Sequence, residues 1–169
     1  MRTERLVSLL VGTALALGAS LASAQQPAAP PPPAPQYGTP ITLEQAKKVM
    51  AGAEAEAKKN SWNVVMAVLD SGGNLVMLQR MDGAQFGSIE VAKDKAYSAV
   101  AFRRPTKAFD DALAQGGANL RILRVPGASP LEGGIPIVVD GKLIGAIGVS
   151  GVTSAQDAQI GRAGIENLK

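Results

Sequence analysis

Residues 135–150 read IPIVVDGKLIGAIGVS. Two apolar runs, Ile135–Val139 and Lys142–Ser150, flank Asp140-Gly141. Asp-Gly is a favoured two-residue type I′ loop, because both central residues take positive φ and the turn's twist matches that of the strands. The stretch predicts a β-hairpin, and the rest of the chain must then cover a sheet containing it. Gly145, Gly148 and Gly151 recur every third residue within and just after the second strand. That spacing differs from the dinucleotide-binding fingerprint and does not open a helix after a strand. Glycines inside a strand mark close approach of another element. Gly145 and Gly148 are therefore expected to face a tightly packed neighbour rather than a phosphate.

Upstream, Asn63–Asp70 and Leu75–Met81 are two further strand-like runs around Ser71-Gly72-Gly73-Asn74, a second hairpin. Thr42 and Gln45 form a capping box before an apolar stripe of Leu43, Ala46, Met50, Ala53 and Ala57, which predicts a helix over about Leu43–Lys59. Ser88–Phe102 returns to helical period and is stopped by Arg103-Arg104-Pro105. Thr106 is placed to cap a short helix, Lys107–Ala114. Leu120–Val125 has strand composition, and Ser154 stands where a last helix would be capped, with Asp157 at its third position. Hairpins separated by helices predict an α+β domain, an antiparallel sheet with helices packed on it.

The N-terminus has a different character. Arg2 and Arg5 precede the uncharged Leu6–Ala24, which closes on Ala22-Ser23-Ala24. A basic start, an apolar run and an A-x-A site read as a secretory signal over residues 1–24. The expected destination is periplasmic or extracellular, with no stable membrane insertion after cleavage. Gln25–Pro40 holds most of the chain's 11 prolines and reads as a solvated tether. The folded domain is expected over 41–169. The chain has no cysteine, so an exported form carries no disulfide and its core must hold the fold alone. A formal net charge of +3 gives no reason to expect nucleic acid.

The chain also has no histidine. That excludes histidine triads, histidine zinc sites and a histidine–iron bond. No metal site is expected. The residues left to carry chemistry are few. Lys95 falls beside the core face of its helix with Ser98 and Phe102. It is either a desolvated, reactive or anion-holding amine, or a snorkelling stem with its ammonium in water, and the second reading is favoured. Arg103, Arg104 and Lys107 gather at the end of that helix. There they suit the helix dipole, or a carboxylate or phosphate. Glu132-Gly133-Gly134 puts a carboxylate beside backbone that a ligand can approach, or simply bends the chain into the sheet.

Several stretches resemble the GlcG/HbpS family of haem-degrading or haem-binding proteins, which includes the C-terminal domain of PduO-type proteins. They are Thr42–Ala57, Val64–Met81, Lys93–Ala99, Phe102–Thr106, Leu131–Ile137 (LEGGIPI) and Asp140–Gly151 (DGKLIGAIGVSG), and together they span about Ile41–Leu168. The resemblance implies a profilin-like fold with a five-stranded antiparallel sheet and helices on its faces. It also implies self-assembly, and tetrapyrrole binding by some members. It points to Lys95, Ser98, Phe102, Thr106 and Glu132-Gly133-Gly134 as candidate cleft residues.

Three functions follow. The first is an exported homo-oligomer binding a small planar or anionic ligand, haem foremost, with Arg103, Arg104 or Lys107 meeting the propionates. Haem would then be held without histidine, by Tyr37, Tyr97, a lysine, a methionine such as Met77 or Met81, or an oxygen of Thr106 or Glu132, with weak oxygen ligation or no axial residue favoured. The second is an enzyme on a small organic acid, with Glu132 or Lys95 as acid or base. The third is a structural or partner-binding module.

Overall fold

A computed structural model describes residues 33–168. The signal-like segment, residues 1–24, lies outside the described residues, as does the first half of the proline-rich stretch, residues 25–32. The elements run β1 (Gln36–Tyr37), α1 (Leu43–Lys59), β2 (Val65–Asp70), β3 (Leu75–Arg80), α2 (Ser88–Ala101), α3 (Lys107–Ala114), a 3-10 turn (Gly117–Arg124), β4 (Gly134–Val139), β5 (Lys142–Ser150) and α4 (Ser154–Glu166). Among the described residues, no helix is long and apolar enough to cross a membrane.

The DG hairpin forms as its residues require. Asp140 and Gly141 both have positive φ, 49° and 73°, and β4 and β5 pair antiparallel from Val139↔Lys142 to Gly134↔Gly148. The other edge of β5 pairs antiparallel with β2, which pairs in turn with β3. The β2–β3 turn is held by the Asp70 carboxylate, whose Oδ1 accepts the backbone N–H groups of Gly72 and Asn74 at 2.8 and 2.9 Å.

Four strands thus fit the antiparallel expectation. The fifth departs from it: β1 runs parallel to the start of β5, with Gln36 opposite Lys142 and Tyr37 opposite Leu143. The sheet is mixed. Gln36 and Tyr37 are also the end of the stretch read as a tether. Tyr37 donates its hydroxyl to the carbonyls of Val100 and Ala101 at 3.0 and 3.1 Å, so this residue is docked on the domain.

The sheet is covered on both faces. Along β2, Met66 and Val68 turn toward a cluster with Val49, Met50 and Ala53 of α1 and Ile160 of α4. Val65, Ala67 and Leu69 turn the other way, onto Ala92, Ala96 and Ala99 of α2. The period-two alternation of a strand therefore feeds two apolar layers, and β2 and β5 are buried on both sides.

Helix α2 approaches β5 as closely as backbone permits. A Cβ on Gly148 would stand 2.0 Å from the Ala92 carbonyl oxygen and 2.5 Å from the Ala96 nitrogen. That is the close approach expected from the glycine spacing. Gly145 is crowded too, its added Cβ falling 2.3 Å from the Leu69 oxygen of the neighbouring strand.

The capping box of α1 is present as read: Gln45 N–H donates to Thr42 Oγ1 at 3.2 Å, and Thr42 N–H to Gln45 Oε1 at 3.0 Å. Two other local expectations are corrected. Leu120–Val125 is no strand: residues 117–124 form the 3-10 turn, entered through Gly116 and Gly117, whose φ values of 66° and 59° turn the chain sharply. Helix α4 is capped by Thr153 with Gln156 at its third position, not by Ser154, which frees Asp157 to point inward.

Candidate functional site

Asp157 points at Lys95. Lys95 Nζ donates to Asp157 Oδ2 at 2.8 Å and to the Val149 carbonyl at 2.9 Å, and both side chains are only 3% exposed. Asp157 Oδ1 accepts the Val152 N–H at 3.2 Å. One ion pair thus ties α2, the end of β5 and α4 together. Burial pushes the Asp157 carboxyl above the usual carboxylate range, more than the Lys95 ammonium and the Val152 and Gly151 N–H groups pull it down. The favoured reading of Lys95, a stem with its ammonium in water, is overturned. Two of its three N–H donors are engaged within the protein, by Asp157 and the Val149 carbonyl.

Gly133 lies directly over this pair. Its φ is 129°, and an added Cβ would fall 2.9 Å from both Lys95 Nζ and Asp157 Cβ. Gly134 is tighter still, 2.2 Å from the Lys95 carbonyl oxygen. The glycine pair is therefore needed to let the chain enter β4 across α2. Thr106 fixes the same crossing from the other side. Its hydroxyl donates to the Leu131 carbonyl at 2.7 Å and accepts the Gly134 N–H at 2.9 Å, while its own N–H donates to the Gly134 carbonyl at 3.0 Å. Thr106 precedes α3, but its side chain makes no capping bond there. It anchors the helix to the sheet instead.

In front of the glycines lies a cleft of about 350 Å³. Its floor is Gly133, Gly134 and Ile135; one wall is Ala158 and Arg162 of α4, and the other is the start of α3 with Pro105 and Lys107. Glu132 and Asp111 complete its rim. Lys107 pairs with Asp111 at 2.5 Å within α3, and this bond, followed by the fields of Asp111, Glu132 and Asp110, raises the lysine's pKa. Arg162 faces Glu132 at 3.9 Å, an ion pair too long to be a hydrogen bond.

The sequence candidates divide into three groups. Glu132, Gly133 and Gly134 line the cleft, with Lys107 at its rim. Lys95 and Thr106 stand behind its floor and shape it. Ser98, Phe102, Arg103 and Arg104 lie elsewhere. Ser98 is fully buried and its Oγ accepts the Ser129 N–H at 3.0 Å. Phe102 meets Phe109 edge to face at 5.1 Å, with the Arg104 guanidinium 5.7 Å from the Phe109 ring. Arg103 lies 5.4 Å from the Tyr37 ring.

Arg162 and Asp111 went unread, and Asp157 was read only as the third position of the last helix. Arg162 and Asp111 look like ordinary charges on helix faces, and only the tertiary arrangement brings them to one rim. A second hollow of about 300 Å³ is lined by Asp94, Tyr97 and the Gly127–Pro130 loop. The Tyr97 ring packs there against Gly73 and Gly127, and the residue is 46% exposed.

Comparison with known proteins matches this architecture and these motifs. A family profile described as "Haem degrading protein HbpS-like" matches residues 41–166. Protein GlcG of Escherichia coli (strain K12) is 41% identical over 110 residues, covering 65% of this chain and 81% of its own. The crystal structure of HbpS superposes with a TM-score of 0.72 at 36% identity, covering 79% of this chain and 94% of that one. A crystal structure of a PduOC:heme complex superposes with a TM-score of 0.70 at 27% identity, covering 76% of this chain and 95% of that one. With the profile spanning nearly all the described residues, this chain belongs to the HbpS-like family.

Proposed function

We propose that this protein binds a tetrapyrrole, haem foremost, as an exported self-associating protein. The observation that carries the reading is the likeness to the PduOC:heme structure over nearly all of that chain. The donor set narrows how the group would be held. No histidine or cysteine exists to ligate iron. Tyr37 is occupied by two backbone carbonyls, Thr106 by the Leu131–Gly134 crossing, and Met77 and Met81 pack against the core. Lys95 is sealed in its ion pair.

Tyr97 fits best: the residue is half exposed at the edge of a hollow, and a phenol oxygen is an accepted axial ligand. Both hollows lie near the low end of the range for small-molecule pockets, about 300–1,000 Å³. A tetrapyrrole would therefore be covered mainly on one face by a single protomer. Arg103 and Arg104, set over aromatic rings, line neither hollow. Export rests on the signal-like residues 1–24. Self-association is supported by the exposed Leu120, Leu123 and Val125 beside α3.

Haemin titration of the mature protein tests the reading. The expected result is a saturable absorption change with a high-spin ferric spectrum, because no histidine pair is on offer. Tyr97→Phe should remove the phenolate signature. The absence of any saturable change would end the proposal.

A further inference from the structure

The cleft before Gly133 carries a charge arrangement of its own. Its body is apolar, formed by Ile135, Ala158 and Pro105, while its rim holds two cations and two anions. One pair, Lys107 with Asp111, lies on consecutive turns of α3 and is closed at 2.5 Å. The other spans two elements and is open: Arg162 of α4 and Glu132 of the loop before β4 stand 3.9 Å apart. Arg162 is 57% exposed and Glu132 14% exposed. Each therefore presents hydrogen-bonding capacity that the other does not fill. An anion entering alone would meet Arg162 but sit against Glu132 and Asp111. A cation entering alone would meet Glu132 but sit against Arg162 and Lys107. A ligand with both charges on one carbon satisfies both sides.

We propose that this cleft binds a small zwitterion with an apolar body, an α-amino acid with a branched or aromatic side chain. The ligand carboxylate takes the Arg162 guanidinium, where two parallel N–H donors match its two oxygens. The ligand ammonium takes the Glu132 carboxylate. The side chain lies on Ile135 and Ala158, over a floor kept open by Gly133. Lys107 and Asp111 remain paired and set the width of the mouth. The proposal rests on Arg162 and Glu132 at this cleft, whereas the tetrapyrrole reading rests on Tyr97 at the other hollow.

Calorimetric titration of the mature protein, without haemin, tests it. The probes are L-leucine, L-phenylalanine, 4-methylpentanoate (no ammonium) and 3-methylbutylamine (no carboxylate). At least one amino acid is expected to bind saturably, with 4-methylpentanoate and the amine each weaker than leucine by at least about tenfold, or 1.4 kcal/mol. Glu132→Gln should reduce the amino acid to the level of 4-methylpentanoate without weakening the latter. Arg162→Gln should weaken both carboxylates and spare the amine. Ala108→Leu, at an exposed position lining the cleft, should block all binding and leave the melting temperature unchanged. No saturable heat with either amino acid, or 4-methylpentanoate binding as tightly as leucine, would overturn the proposal.

Discussion

Helix α2 has seven buried residues along its 14 positions, whereas α3 and the 3-10 turn that follow have none. The two regions differ in what holds them. Alanine and serine positions let α2 sink onto β5 until backbone meets backbone at Gly148, and Lys95 then anchors it to α4 through Asp157. The α3 arm is amphipathic but turns its leucines outward: Leu120 and Leu123 are 52% and 61% exposed. It is fastened at its root, where Thr106 crosses Leu131 and Gly134. A sequence can thus write the same helical periodicity for a face that its own core covers and for a face that it leaves uncovered. Periodicity shows that a face is apolar, not what lies against it.

The contrast is broken most forcefully at the ion pair. Asp157→Asn leaves a buried ammonium without its counter-charge and should cost about 3–5 kcal/mol. Replacing both partners, Lys95→Met with Asp157→Leu, should recover most of that loss, because the cost of desolvating two ions disappears with them. Denaturant unfolding of the single and double variants measures both. A single-variant loss below 1 kcal/mol would mean that the pair is not sealed.

Gly148→Val comes next. The obstruction is backbone of α2 rather than a flexible side chain, so overpacking should cost about 1–3 kcal/mol or somewhat more. A wild-type melting temperature would show that α2 does not sit where Gly148 admits it.

The arm should respond in the opposite sense. Leu123→Asp alters an exposed position and should change protomer stability by no more than about 0.5 kcal/mol. It should nonetheless lower the assembly size in light scattering if the arm is where copies meet. A stability loss like that of Gly148→Val would show the arm to be part of the core, and an unchanged assembly size would place the contact between copies elsewhere.

The legible parts of this fold are those whose cause is local. Asp140-Gly141 dictates its own turn, Thr42 and Gln45 cap α1 with their own side chains, and the glycine spacing in β5 announces a close neighbour. The misread parts have causes far away in the chain. Lys95 looks like a surface amine until Asp157 arrives from 62 residues downstream. Leu120–Val125 has strand composition, but the positive-φ Gly116-Gly117 turn leads it into a 3-10 coil. β1 is a two-residue strand in a proline-rich context, and only its partner in β5 makes it one. Half of the cleft was readable at Glu132-Gly133-Gly134; the half supplied by Arg162 and Asp111 was not.

Strand β5 is the last strand in sequence, yet it joins the rest of the sheet together: β2, β4 and β1 all pair with it. A chain ending before Lys142 can form one hairpin, β2–β3, and a lone hairpin is marginal in water. The sheet therefore has no intermediate size. Two of its pairings are hairpins, but β2–β5 and β1–β5 are long-range, so closure waits for β5. During synthesis, the sheet cannot close until β5, and so most of the chain, has emerged from the ribosome. Were the chain exported as proposed, it would meet a translocation channel before β5 could close the sheet. The order of the strands acts as a delay, set by topology rather than by a chaperone-binding motif.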